Sequence, residues 1–187
     1  VYIAEAFPKL TESVRLMPKE PNFRSELSAA AADIAVALTN QNATEAGLQA
    51  TQVALMESDL AFKLNPVHLN LLKTRARVFL TLAQIDPQYL EPAKTTLIRG
   101  LELSPTDPKL TYNLAMVYTQ QKDIPTAIAT LEEAVGLKSN YETARYALGS
   151  IYADQREYAK AREQFEYILT YIAPQNEKVK EKLKQLP

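Results

Sequence analysis

The chain has no cysteine, no tryptophan, one histidine and four glycines in 187 residues. Without cysteine there is no disulfide, thiol nucleophile or thiolate-held metal, and neither a reducing nor an oxidising compartment is favoured. With His68 alone, no histidine cluster can hold a metal, and a Ser-His-Asp arrangement has a single choice of base. Four scattered glycines cannot build a phosphate cradle, and neither a P-loop nor GxGxxG occurs. Adjacent acids such as Glu132 and Glu133 point in different directions on a helix and do not form a working pair. No catalytic residue, cofactor or metal is therefore expected. Charge of one sign is also missing: the net charge of −1 sets up no field for nucleic acid or an anionic membrane. No basic stripe interleaved with aromatics marks a nucleic-acid surface. The longest apolar stretch, Ala29 to Leu38, is broken by Asp33 and is too short to span a bilayer. Direct membrane insertion by this segment is not expected. With Val1 in place of Met, an excised or processed fragment is expected, and a soluble cytoplasmic domain and one tethered to a membrane through a missing N-terminal region both stay open.

A period is present. Thr111-x₂-Leu114-Ala115-x₂-Tyr118, then Ala127-x₃-Leu131, recurs as Arg145-x₂-Leu148-Gly149-x₂-Tyr152, then Ala161-x₃-Phe165. Each residue lies 34 after its counterpart, as in 145−111 and 165−131. Leu114, Val117 and Tyr118 share one helical face, as do Ala127, Leu131, Ala134 and Val135. The 11 prolines fall largely where helices would begin or end. A fixed period of this length with helical spacing indicates stacked helix pairs. It resembles the tetratricopeptide repeat (TPR), whose pattern is W-x₂-L-G-x₂-Y, then A-x₃-F, then P. The resemblance implies an all-α, right-handed α-solenoid of antiparallel helix pairs.

The Leu-x-Pro signature that closes a TPR unit sets the register. It stands at Leu16-Met17-Pro18, Leu64-Asn65-Pro66 and Leu103-Ser104-Pro105, with Ser139 and Ala173 at the equivalent later places. The intervals are 66−18 = 48, 105−66 = 39, 139−105 = 34 and 173−139 = 34. The N-terminal half therefore carries longer helices or a longer turn. A single domain over 1–187 is expected, with helix pairs at about 23–63, 67–103, 108–137 and 141–171. An N-terminal helix at about 4–17 contains Pro8, which would kink it or delay its start. Gln84 to Gln88 is read as the longer turn of the second pair, and Asp123 as an N-cap ahead of Pro125. A final helix at about 176–186 has Val179, Leu183 and Leu186 on one stripe among lysines, which suits a cap over the last hydrophobic interface. Ala76, Ala115 and Gly149, with Ala127 and Ala161, are the small residues at helix crossings. Phe79, Tyr118, Tyr152, Leu131 and Phe165 fill space between pairs.

In the TPR family the first helix of each pair lines a concave groove, and its non-core positions meet the partner. The resemblance gives a peptide-binding groove of Lys73, Arg77, Lys109, Tyr112, Asn113, Met116, Tyr146 and Ser150. Tyrosine suits recognition because it carries apolar area and a hydroxyl at low entropic cost, although the same rings could simply cover a helix surface. The two-carboxylate clamp of Hsp70- and Hsp90-class co-chaperones is incomplete. Lys73 and Asn113 match it, but Arg77, Thr143 and Ala147 do not. The asparagine ladder of the O-linked glycosyltransferase TPRs is absent. Lys63, His68, Lys73, Arg75 and Arg77 form the densest basic run. It reads either as a site for an acidic peptide or phosphate, or, more plainly, as a solvated face partly paired with acids. The expected function is a non-catalytic scaffold for a protein or peptide segment. Two alternatives stand beside it. The text from Leu101 to Ala115 resembles the TPR tails of bacterial O-antigen ligase or polymerase-like membrane proteins, and an exposed groove or incomplete first unit could self-associate.

Overall fold

The structure is a computed structural model that describes residues 2–187, with side chains from residue 6. Among the described residues it is all-helical. Contacts divide the chain into two compact units, 1–105 and 106–187.

The N-terminal unit holds α1 (Tyr2–Leu16), α2 (Pro21–Asn40), α3 (Thr44–Leu64), α4 (Leu69–Leu82) and α5 (Leu90–Leu103). Pro8 neither delays nor ends α1 but lies inside it. The 48-residue interval has a simple origin. α2 has 20 residues and α3 has 21, against 13 and 14 in the 34-residue pair α6 (Pro108–Gln120) and α7 (Ile124–Leu137). Each helix gains seven residues, and 7 + 7 = 14 is the whole excess of 48 over 34. Seven residues make close to two turns at about 3.6 residues per turn, so the added length returns each stripe to the same face. Small side chains let the long pair approach closely: Ala29, Ala31, Ala32, Ala35 and Ala54 are buried, with Phe7 packed against their cluster. A Cβ on Gly47 would stand 2.6 Å from Thr39 Oγ1, so glycine there permits the contact. The 39-residue interval has a different cause. The link from α4 to α5 is long and contains a 3₁₀ turn, Pro87–Tyr89. Asp86 caps that turn by accepting from Gln88 N at 3.0 Å.

The C-terminal unit holds α6, α7, α8 (Glu142–Asp154), α9 (Tyr158–Tyr167) continued by a π-helical turn (Ile168–Ile172), and α10 (Glu177–Gln185). Its core is built from larger side chains: Leu131, Leu148, Ile151, Tyr152, Phe165, Ile168 and Val179. Ala115, Ala127 and Ala161 are fully buried between them. A Cβ on Gly149 would lie 2.9 Å from the Phe165 ring, so its absence is what seats that ring. The starts of α6, α7 and α10 are fixed by side chains. Asp107 accepts from Lys109 N (2.9 Å) and Leu110 N (3.2 Å) ahead of Pro108. Asp123 accepts from Thr126 N at 3.3 Å ahead of Pro125, and Asn176 caps α10 through Val179 N at 3.1 Å. In α10, Val179 is fully buried, and Leu183 and Leu186 are half-buried against the same core.

Three hairpin tips share one chemistry. Asn42, Lys122 and Arg156 adopt φ of 62°, 63° and 64°. The next residue donates its N–H five residues back in each case: Ala43 to Leu38 O, Asp123 to Tyr118 O and Glu157 to Tyr152 O. This is the Schellman ending, here made without glycine.

Candidate peptide-binding face

The eight expected groove residues fall in both units. Lys73 and Arg77 stand on α4 of the N-terminal unit. Lys109, Tyr112, Asn113 and Met116 stand on α6 of the C-terminal unit, with Tyr146 and Ser150 on α8. On α6 and α8 the opposite faces are sealed into the core by Leu114, Ala115 and Val117 and by Leu148, Gly149 and Ile151. This leaves Tyr112, Asn113, Met116, Tyr146 and Ser150 half-buried and Lys109 exposed.

The two tyrosines share a repeat position but not an environment. Tyr112 meets Tyr141 at 5.4 Å between ring centroids, tilted by 55°. Burial pushes the Tyr112 phenol above its ordinary value. The Tyr141 phenol is raised first by burial and then by the charges of Tyr112 and Asp107. The residue 34 after Tyr141 is Gln175, so Tyr146 has no equivalent ring to meet. It packs at 5.8 Å from Phe165 instead, with Lys178 Nζ from α10 4.8 Å over its face. Ser150 Oγ is enclosed and has no hydrogen-bond partner among the described residues.

On α4 the basic run separates by direction. Arg75 points inward. It donates to Ser58 Oγ at 3.0 Å, pairs with Asp59 Oδ1 at 2.7 Å, and lies over the Phe62 and Phe79 rings at 5.1 and 4.8 Å. Arg75 is thus paired with an acid, but it is not part of a solvated face. His68 encloses its Nδ1 without a partner among the described residues. Lys73 is half-buried and partnered. Arg77 is exposed. It borders a cleft of about 440 Å³ whose other walls are Ala6, Lys9 and Leu10 of α1 and Glu26, Ala30 and Asp33 of α2.

Two further clefts lie over a first helix, between the second helices of successive pairs. One, of about 590 Å³, is lined by Phe62, Leu72, Arg75, Phe79 and residues of α5. The other, of about 610 Å³, is lined by Val135, Arg145, Leu148, Tyr152 and residues of α7 and α9. Arg145 is buried. Its Nε donates to Ser139 O at 2.6 Å and its guanidinium donates to Gln164 Oε1 at 2.7 Å, with the Tyr167 ring 3.5 Å away. Arg24 repeats this arrangement in the first pair. Its Nε donates to Pro18 O at 2.8 Å, and its NH1 meets Glu57 Oε2 at 2.5 Å. Both arginines stand six residues past the register mark, Pro18 or Ser139. That coincidence is visible in the sequence once the register is set, and it was the one available signal for these clamps. Among the described residues, no group of three or more acids and histidines could hold a metal. None of the described helices is long and apolar enough to cross a membrane.

Comparison with known proteins agrees with the repeat reading. The tetratricopeptide repeat model matches residues 112–177. Among solved structures, MamA (residue 41 to the end) from Desulfovibrio magneticus RS-1 superposes with a TM-score of 0.69 at 21% identity, over 93% of this chain and 88% of that one. TTC0263, a thermophilic TPR protein from Thermus thermophilus, gives a TM-score of 0.70 at 18% identity, over 97% and 89%. The first TPR of Spaghetti (RPAP3), bound to the HSP90 peptide SRMEEVD, gives 0.56 at 20% identity, over 63% and 88%. No curated protein sequence matches the chain. At these identities the superpositions show a shared fold.

Proposed function

We infer that this chain, whose residues 112–177 match the tetratricopeptide repeat model, is a non-catalytic scaffold that holds a protein or peptide segment against its first helices, foremost the face made by α6 and α8 of the C-terminal unit. One observation carries the reading. α6 and α8 are each sealed into the core on one side, and on the other they offer half-buried Tyr112, Asn113, Met116 and Tyr146 beside exposed Lys109. Rings already held by Tyr141 and by Phe165 with Lys178 lose little freedom when a partner lands on them. Such a face binds with little rearrangement of its helices. The Spaghetti domain shares the fold and binds an HSP90 peptide. The ligand itself is not carried over to this chain, because Thr143 and Ala147 stand where the carboxylate clamp has its basic pair.

A phage-displayed library of random peptides, panned against the whole chain, supplies a probe. Replacing Tyr112, Asn113 and Tyr146 with alanine is expected to weaken a selected peptide by about tenfold or more, with the circular dichroism spectrum retained. Met116→Glu keeps both ring contacts and tests the same face without touching the core. Unchanged affinity in both variants rejects this face as the binding surface.

A further inference from the structure

The clefts over α4 and α8 and the cleft between α1, α2 and α4 treat their charges differently. Over α4, Arg75 is paired with Asp59 and Arg99 with Glu102, the latter at 2.5 Å. Over α8, the Tyr152 hydroxyl donates to Glu132, Arg145 to Gln164, and Lys160 pairs with Glu157 at 2.6 Å. In the cleft between α1, α2 and α4, all four charged side chains are left over. No ion pair or side-chain hydrogen bond among the described residues joins Lys9, Glu26, Asp33 or Arg77, and all four are exposed.

Their order along the cleft is specific. Glu26, Ala30 and Asp33 are spaced by four and three residues, so they form one stripe along α2. The two acids are seven residues apart, or about 10 Å along the helix axis at roughly 1.5 Å per residue. Ala30 lies between them, with Leu10 and Ala6 of α1 beside it. The two basic groups stand on the flanking helices, Lys9 on α1 and Arg77 on α4. The floor is thus acidic, then small and apolar, then acidic, while each rim is basic. The charges cancel within the cleft, which disfavours an occupant of one sign and favours one whose signs alternate.

We propose that this cleft binds an extended peptide segment with the pattern basic, acidic, aliphatic, acidic, basic. Alternate side chains of an extended segment point the same way, so the first, third and fifth face the floor together. The span from first to fifth is about 13 Å at roughly 3.3 Å per residue, and flexible lysine side chains take up the difference from the acid spacing on α2. The two basic side chains meet Glu26 and Asp33, the aliphatic one covers Ala30, and the two acidic ones point away from the floor, where the long side chains of Lys9 and Arg77 extend over them from the rims. The proposal rests on the reading that first helices meet the partner, and it adds a cleft walled by α1, α2 and α4 within the N-terminal unit.

Fluorescein-labelled peptides containing Lys-Glu-Leu-Glu-Lys, the inverted Glu-Lys-Leu-Lys-Glu, and uncharged Gln-Gln-Leu-Gln-Gln, titrated into the whole chain by fluorescence polarisation, test it. The first is expected to bind at least about tenfold tighter than the inverted peptide of identical composition, and to weaken as salt is raised. Arg77→Glu should cost about tenfold, and Glu26→Lys with Asp33→Lys should transfer the preference to the inverted peptide. All four charged residues are exposed, so these variants leave the fold in place. No binding, equal binding of the two charged peptides, or indifference to the charge reversals overturns the proposal. If library-selected peptides still depend on Tyr112, Asn113 and Tyr146 in that case, the scaffold reading stands and only this cleft is rejected. If they do not, both readings fail.

Discussion

The cleft over α4 and the cleft over α8 occupy the same place in the repeat, yet they are built with opposite logic. Phe62, Leu72, Arg75 and Phe79 correspond to Val135, Arg145, Leu148 and Tyr152, each pair 73 residues apart, which is 39 + 34. Leucine and arginine have exchanged positions one turn apart. Over α8 the arginine ties its helix to its own partner α9 through Gln164 and to its own preceding turn through Ser139. Over α4 the arginine reaches back to the previous pair, to Ser58 and Asp59 on α3, and lies over two phenylalanine rings. The first pair uses the α8 logic, with Arg24 tied to Glu57. A guanidinium in this repeat can therefore lock a pair internally or join it to its predecessor, and a shift of three residues decides which.

The largest expected effect separates these arginines. Glu57 is 7% exposed at its side chain and Arg24 13%, so Arg24→Met leaves a carboxylate stranded with little water. We expect a loss of about 3 kcal/mol in urea unfolding. Arg145→Met strands only the neutral Gln164 amide and a turn carbonyl, and should cost about 1–2 kcal/mol. Arg75→Met releases Asp59, whose side chain is 54% exposed and finds water at once, so the loss should stay near 1 kcal/mol or below. Equal losses in the three variants would mean that the exchange of positions has no energetic content.

The next effect concerns the ring at the mouth of each cleft. The Tyr152 hydroxyl donates to Glu132 Oε1 at 2.5 Å, while Phe79 has no hydroxyl to donate. Tyr152→Phe should cost about 1.5 kcal/mol at neutral pH, as expected for a hydrogen bond to a charged acceptor. Burial first, and then the hydrogen bond to Glu132, push the Tyr152 phenol well above its ordinary value. A raised phenol contributes stability that is fully present below about pH 10, the ordinary tyrosine value, and is lost as the pH rises toward the folded value. Alkaline titration of stability should therefore fall less steeply in Tyr152→Phe than in the parent chain. Parallel alkaline limbs would remove Tyr152 from the account.

Much of this molecule can be read from its letters, and the exceptions have a common cause. The all-α class follows from the 34-residue period and from prolines at helix starts, because both are local signals. The two longer intervals were visible as numbers, and the 39-residue one traces to the turn at Gln84 to Gln88, but the even division of the 48-residue excess between two helices was not visible. Adding seven residues to each of two helices and adding five to one turn and its helix end look alike in a count. Which residues of α6 and α8 stay out of the core follows from register, whereas the unlike surroundings of Tyr112 and Tyr146 depend on Tyr141 having no counterpart at Gln175. Arg24 and Arg145 share a register position, but their acceptors Glu57 and Gln164 were hidden, because they lie 33 and 19 residues away, beyond any helical periodicity. The cleft at Arg77 depends on where α1 lies, which no repeat pattern specifies.

The smallest expected effect compares the hairpin tips. Asn42, Lys122 and Arg156 all hold a left-handed backbone, with φ between 62° and 64°. An L-residue with a Cβ resists this conformation by roughly 1 kcal/mol, glycine does not, and asparagine resists it least among the others. Lys122→Gly and Arg156→Gly should each raise stability by about 0.5–1 kcal/mol, the gain being reduced by the greater freedom of glycine in the unfolded chain. Asn42→Gly should gain less than either. The tip between α4 and α5 has no such residue and offers no equivalent site, since its extra length is taken up by the 3₁₀ turn at Pro87–Tyr89. Thermal melts of the three glycine variants rank the tips directly. A gain at Asn42 as large as at Lys122 would show that the strain is set by the turn and not by the side chain it carries.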